Sequence, residues 1–280
     1  MSPLADSALP RLRIGCCGSM IAPATDPVGI EIVEDLATSG FDYIELSLRD
    51  FALLPEPALA QLISRLKRAG LACEVCNNFF SPEIRLTGPA ADLSTALRYA
   101  RAALATAARF GVSVVVFGSS GARNVPADFP RETAWVQLRD LLRHLGPVAE
   151  DHGITLAIEH LNRQESNILN SVAECWQLAQ EVAHPRVRLL IDSYHLLVEN
   201  ESLAILSQVA SAIAHVHMSQ GTARDFPAGP DAPLGAFFGQ LGAIGYARRC
   251  SVEAYTRDFA ADAPRAVTAI REYSQPRTTH

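Results

Sequence analysis

The chain has 280 residues, 49% hydrophobic and 19% charged, a globular composition with ample core for one barrel-sized domain or two small ones. A net charge of −6 and a pI near 5.8 give no expectation of a basic surface and argue against a nucleic-acid partner. No apolar run approaches the length of a bilayer span, which argues against a membrane protein.

The first stretch, "MSPLADSALPRLR", has no apolar segment behind its charges. It reads as a flexible arm over 1–11 and not as a signal peptide. From there, short β-type runs alternate with longer helical ones. The first four strands are expected over 12–17 ("LRIGCC"), 42–47 ("DYIELS"), 71–77 ("LACEVCN") and 112–118 ("VSVVVFG"). The second four are expected over 154–159 ("ITLAIE"), 187–192 ("VRLLID"), 213–219 ("IAHVHMS") and 249–255 ("RCSVEAY"). Between them, Leu59, Leu62, Ile63 and Leu66 share one face of a helix that Gly70 ends. Ser171 and Glu174 stand in capping-box register at the start of another.

Several strands are apolar throughout, as parallel strands covered on both faces are. Eight βα units predict an α/β fold, a single (β/α)₈ barrel over 12–273 with a short tail over 274–280. A doubly wound open sheet is the competitor, but "GCCGSM" after the first strand is a poor glycine-rich dinucleotide turn. Six scattered cysteines predict buried, reduced thiols and a cytoplasmic protein. "CEVC" falls within a strand and has no second pair, so core packing is the expected role of Cys73 and Cys76.

Four successive strands in the second half end on metal-ligand residue types: Glu159, Asp192, His217 and Glu253. Each follows the last by about one βα unit, which puts the four side chains at equivalent heights on the C-terminal rim. Three carboxylates converging there repel one another unless a cation compensates. Oxygen-rich ligation with one imidazole points to one divalent ion, Mn²⁺, Mg²⁺ or Co²⁺.

The segments "GFDYIELS", "IEHLNRQESNILNS", "LLIDSYHLLVE", "HVHMSQ" and "SVEAY" resemble those of the xylose-isomerase-like TIM barrels, within them the ketose 3-epimerases and hydroxypyruvate-isomerase relatives. The resemblance implies a metal-dependent sugar or sugar phosphate isomerase or epimerase, active on a small carbohydrate as a homodimer or homotetramer. It implies that Glu159, Asp192, His217 and Glu253 hold the ion. It also implies that Glu159 and Glu253 flank the sugar as paired acid and base. Glu165, His195 and Arg224 match positions that contact substrate near its carbonyl. The glycine-lysine segment usual after the seventh strand is replaced by "DFPAGPDAPLGAFF", so the substrate-closing loop differs.

Three other features belong to the expected mouth. Glu45 is a rim carboxylate that either hydrogen-bonds a sugar hydroxyl or orients a loop. "CNNFF" offers Asn78 as a substrate contact, with Phe79 and Phe80 either walling the sugar or packing the loop. "FGSSGARNVP", with Arg123, either cradles a phosphate, lines the sugar pocket or is an ordinary glycine-rich loop.

Related chemistries remain as alternatives. Single-metal dehydratases of keto-inositol or dehydroshikimate also begin by removing a proton beside a carbonyl. Abasic-site endonucleases need histidines from early strands, and here the first histidine is His144. A non-enzymatic sugar-binding module has no need of the paired glutamates.

Overall fold

A computed structural model describes residues 11–275. The arm expected over 1–11 lies outside the described residues except for Arg11, and the tail except for Ser274 and Gln275. Eight strands close into a parallel barrel in sequence order, β1 (Arg13–Cys17), β2 (Tyr43–Ser47), β3 (Ala72–Asn77), β4 (Val114–Phe117), β5 (Thr155–Glu159), β6 (Val187–Asp192), β7 (Ile213–Met218) and β8 (Arg249–Val252). β8 pairs with β1 to complete the ring, so no strand edge is left open.

Outside the barrel run α1 (Val33–Ser39), α2 (Glu56–Ala69), α3 (Leu93–Arg109), α4 (Arg131–Asp151), α5 (Val172–Val182), α6 (Ser193–Val198), α7 (Ala232–Ala243) and α8 (Phe259–Tyr273). α2 ends at Gly70, whose φ of +68° is the left-handed conformation glycine tolerates best. Ser171 caps α5 by accepting from Glu174 N at 3.1 Å. The other half of the capping box is displaced by one residue, because the Glu174 carboxylate accepts from Asn170 N at 2.7 Å instead. Among the described residues no helix is long and apolar enough to cross a membrane.

The expected strand positions hold, with trimmed ends. β8 stops at Val252 because the chain beyond Glu253 turns away to bridge with the segment after β7, where Asp225 pairs with Tyr255. All six cysteines are buried and free, with Cys73 and Cys76 Sγ 3.8 Å apart.

Two apolar clusters divide the core. The larger lies between strands and helices, and a smaller one fills the lumen with Tyr43, Val75, Val114, Val116, Ala157, Leu190 and Ala214. A side chain at Gly15 would overlap the Tyr43 ring, so this glycine makes room for the ring that plugs the lumen. Side chains alternate along a strand, so residues two before and two after a lumen residue also face the lumen. Arg188, Leu190 and Asp192 of β6 form such a column, as do Arg249, Ser251 and Glu253 of β8 and its end.

Candidate metal centre

At the C-terminal mouth, Glu159, Asp192, His217 and Glu253 each bring a ligand-type atom within 4.8 Å of the others. His217 Nδ1 lies 3.2 Å from Glu159 Oε1 and 3.2 Å from Glu253 Oε2. Asp192 opens α6: its side chain accepts from Tyr194 N at 2.7 Å through Oδ1. Its other oxygen, Oδ2, is buried without a hydrogen-bond partner. Such an orphaned carboxylate oxygen asks for a donor or a cation. Burial pushes the Asp192 carboxyl up to about 7, against the pull of Arg224. Three carboxylates, one imidazole and this unmet oxygen fit a hard or borderline divalent ion.

The surrounding shell fixes these groups. Arg123 Nη2 donates to Glu159 O at 2.8 Å, and its Nη1 donates to Phe117 O at 2.7 Å. A Cβ at Gly118 would overlap Glu159 Oε2, so a side chain there would displace the carboxylate from its present place. Asp192 N donates to His160 Nε2 at 3.2 Å.

Glu45 departs from the expectation of a rim carboxylate. It belongs to β2 one layer below the strand's end, is fully buried, and points into the barrel beneath the cluster. Its Oε1 lies 3.0 Å from His217 Nε2, and its Oε2 3.1 Å from His215 Nε2 and 2.6 Å from Ser251 Oγ. Burial raises its pKa, but the His217 and His215 rings overcome this and hold it at about 2. For His217, burial is likewise outweighed by Glu45 and Glu253, which raise its pKa well above the usual value. Cys17 approaches Glu45 and His217 closely enough to form a second ligand-type group. Burial keeps that thiol protonated, so it is a poor ligand.

Above the cluster stand the groups expected to meet substrate. Arg224 pairs with Glu253, lies 3.6 Å from both Asp192 Oδ2 and Glu165 Oε1, and stacks its guanidinium 4.7 Å over the Tyr194 ring. His195 is fully buried with Nε2 3.6 Å from Asp192 Oδ2. Its Nδ1 accepts from Asn162 N at 3.2 Å and lies 2.9 Å from Asn162 Nδ2. Both are N–H groups, so the network assigns the ring proton to Nε2, which has no partner. Burial, then His160 and Arg224, push the His195 pKa down to about 2, so the ring is a neutral donor.

The sequence-predicted residues thus divide. Glu159, Asp192, His217, Glu253, Arg224, Glu165 and His195 gather at one mouth. Asn78 does not join them: it is half-buried at φ +47°, its carbonyl accepts from Arg49 N, and no side-chain hydrogen bond ties it to the cluster among the described residues. Phe79 and Phe80 are buried with ring centroids 4.2 Å apart, packing their loop instead of walling the mouth. Arg123 is sealed under its loop by the two carbonyls it bonds, and a buried guanidinium cannot cradle a phosphate at the surface.

The family model for the xylose isomerase-like TIM barrel matches residues 33–274. This chain belongs to that family. Among curated proteins, this barrel is 27% identical over 229 residues to an L-ribulose 3-epimerase of Mesorhizobium japonicum, covering 79% of this chain and 73% of that one. It is 24% identical over 240 residues to a ketose 3-epimerase of Arthrobacter globiformis, covering 84% and 81%. Among solved structures, a D-allulose 3-epimerase from Methylomonas sp. in complex with D-allulose superposes with a TM-score of 0.83 at 20% identity, covering 94% of this chain and 98% of that one.

Asn162, His160 and Tyr194 were not foreseen. Asn162 Oδ1 accepts from Gln164 N at 3.0 Å and Glu165 N at 3.1 Å, while Nδ2 donates to Glu165 Oε1 at 3.0 Å. It therefore shapes the loop after β5 and holds Glu165 and His195 together. Its place three residues before Glu165 was the available signal, since asparagine folds its side chain onto amides two and three residues ahead.

Proposed function

We propose that this chain is a divalent-metal-dependent epimerase of a small ketose, inverting the carbon beside the ketone. The observation that carries the reading is the convergence of Glu159 and Glu253 on His217 Nδ1, each 3.2 Å away, with the unpartnered Asp192 Oδ2 in the same group. The family, and the 3-epimerase activity named for the relatives at 27% and 24% identity, support it.

Glu159, Asp192, His217 and Glu253 would hold the ion. When bound, it supplies positive charge beside the substrate oxygens and acidifies the adjacent carbon–hydrogen bond. One glutamate, as the carboxylate, removes that proton, leaving an enediolate, and the other, which starts as the carboxylic acid, gives its proton to the opposite face of the same carbon. Inversion follows because removal and return come from opposite sides, and the roles exchange for the reverse reaction. His195 donates its Nε2 proton as a hydrogen bond to a substrate oxygen. Arg224 and Glu165 orient the sugar. The sealing of Arg123 favours a free sugar over a phosphorylated one at this mouth. Mn²⁺, Mg²⁺ and Co²⁺ all suit the donor set. Buried free thiols favour a cytoplasmic setting, and a homodimer or homotetramer is the assembly of this reading.

The test is solvent exchange. Incubated in D₂O with a divalent ion and a panel of free ketoses, the enzyme is expected to put one deuterium on the carbon beside the ketone and to form the epimer. Water loss from a keto-inositol, with no exchange in any ketose, would replace the reading with a dehydratase.

A further inference from the structure

The barrel's other mouth carries a charge pattern for which epimerisation has no use. Strand alternation turns Arg13, Arg188 and Arg249 toward the N-terminal end of the lumen, and Arg186 and Arg248 precede two of them in the chain. A cavity of about 490 Å³ opens there, its wall including Arg186, Arg188, Arg248, Arg249 and Thr155. The Tyr43-centred apolar layer separates it from the metal centre.

Counter-charge is scarce. Glu74 takes both Arg13 and Arg249, the latter through Nε at 2.5 Å. Glu150, on the cavity wall, lies 3.7 Å from His184 Nε2. Arg186, Arg188 and Arg248 form no ion pair with a carboxylate among the described residues. Arg186 Nη1 donates to Gly153 O at 3.3 Å, Arg248 Nη1 to Ile213 O at 2.8 Å, and Arg188 Nη2 to Ser211 O. Arg188 Nε is buried without a partner. Burial, and then Arg248, lower the Arg188 pKa, so the two cations repel across the cavity.

We propose that this mouth is a binding site for a phosphate-type oxyanion, supplied either as free phosphate or as the phosphoryl group of a small metabolite. A doubly charged anion relieves the repulsion among the arginines that line the cavity. Guanidinium forks match phosphoryl oxygens in pairs, and a concave site of this size holds a small metabolite. The site is independent of the epimerase reading, because it shares no side chain with the metal centre.

Calorimetric titration of the full chain with inorganic phosphate, and separately with a pentose phosphate, at an ionic strength matched with chloride, tests it. One saturable site per chain is expected, weakened about tenfold or more in both Arg188→Gln and Arg248→Gln. Ketose deuterium exchange is expected to stay unchanged in both variants. Tighter binding of the pentose phosphate identifies a metabolite as the source, and equal binding identifies free phosphate. Arg248 is exposed, so Arg248→Gln decides the matter if Arg188→Gln fails to fold. No saturable heat with either anion, or unchanged affinity in Arg248→Gln, overturns the proposal.

Discussion

At its C-terminal end the barrel gathers Glu159, Asp192, Glu253 and His217, while at its N-terminal end β1, β6 and β8 present Arg13, Arg188 and Arg249. β6 and β8 show the contrast within single columns, running arginine, small or apolar residue, acid from bottom to top. The middle layer is what allows both. Tyr43, Ala157, Leu190 and Ala214 fill the lumen with apolar groups and hold the two sets of charges at opposite ends. The acidic mouth meets its charge with His217 and Arg224, and in the proposed reading a divalent ion would complete it. The basic mouth has Glu74 and little else. A net charge of −6 is a sum over the surface, which is why it gave no sign of the arginine mouth.

Substitutions at successive distances from the reacting carbon sharpen this contrast. The largest effect is expected at the paired glutamates. Glu253→Gln or Glu159→Gln should lower kcat for epimerisation by about 10³-fold or more, with the fold retained by circular dichroism. Residual activity within tenfold of the parent would remove the two-carboxylate mechanism. One layer down, Glu45→Gln is expected to weaken Mn²⁺ binding by about 10- to 100-fold in calorimetric titration, since the Glu45 contact orients His217. Undiminished affinity would make Glu45 a packing residue.

On the substrate side, Asn162→Ala should lower kcat/KM about tenfold with Mn²⁺ affinity unchanged, because Asn162 fixes the His195 proton on Nε2 and is not one of the candidate ligands. A matching fall in metal affinity would contradict that division. The smallest effect belongs to the plug between the mouths. Tyr43→Phe removes the 2.9 Å contact of its hydroxyl with Ser251 Oγ and should cost about 1 kcal/mol of stability in denaturant unfolding. Its kcat should remain within about twofold of the parent. A large kcat loss would mean that the hydroxyl supports His217 through Ser251 and Glu45.

Most of the fold was legible because buried parallel strands write themselves as apolar runs at βα-unit spacing. Glu159 and Asp192 were legible for the same reason: each is the last residue of such a run. Glu45 looked alike but precedes the end of β2 by two residues, which is one full layer of the barrel. Counting from the strand's end would have placed it beneath the rim. His215 was visible by the same rule, two before His217 on one strand. Arg123 was hidden by its setting, since a glycine-rich loop leaves open whether its cation turns out to a ligand or in to carbonyls. The arginine mouth follows from reading strand beginnings as closely as strand ends. Arg13 and Arg249 open their strands as Glu159 and Asp192 close theirs.

The direct measurement is calorimetric titration of the metal-stripped protein with Mn²⁺, beside Asp192→Asn. The account predicts one ion per chain and a rise in melting temperature with the parent, and loss of both in the variant. Binding of equal strength in Asp192→Asn, or indifference of the parent to manganese, magnesium and cobalt, would contradict it.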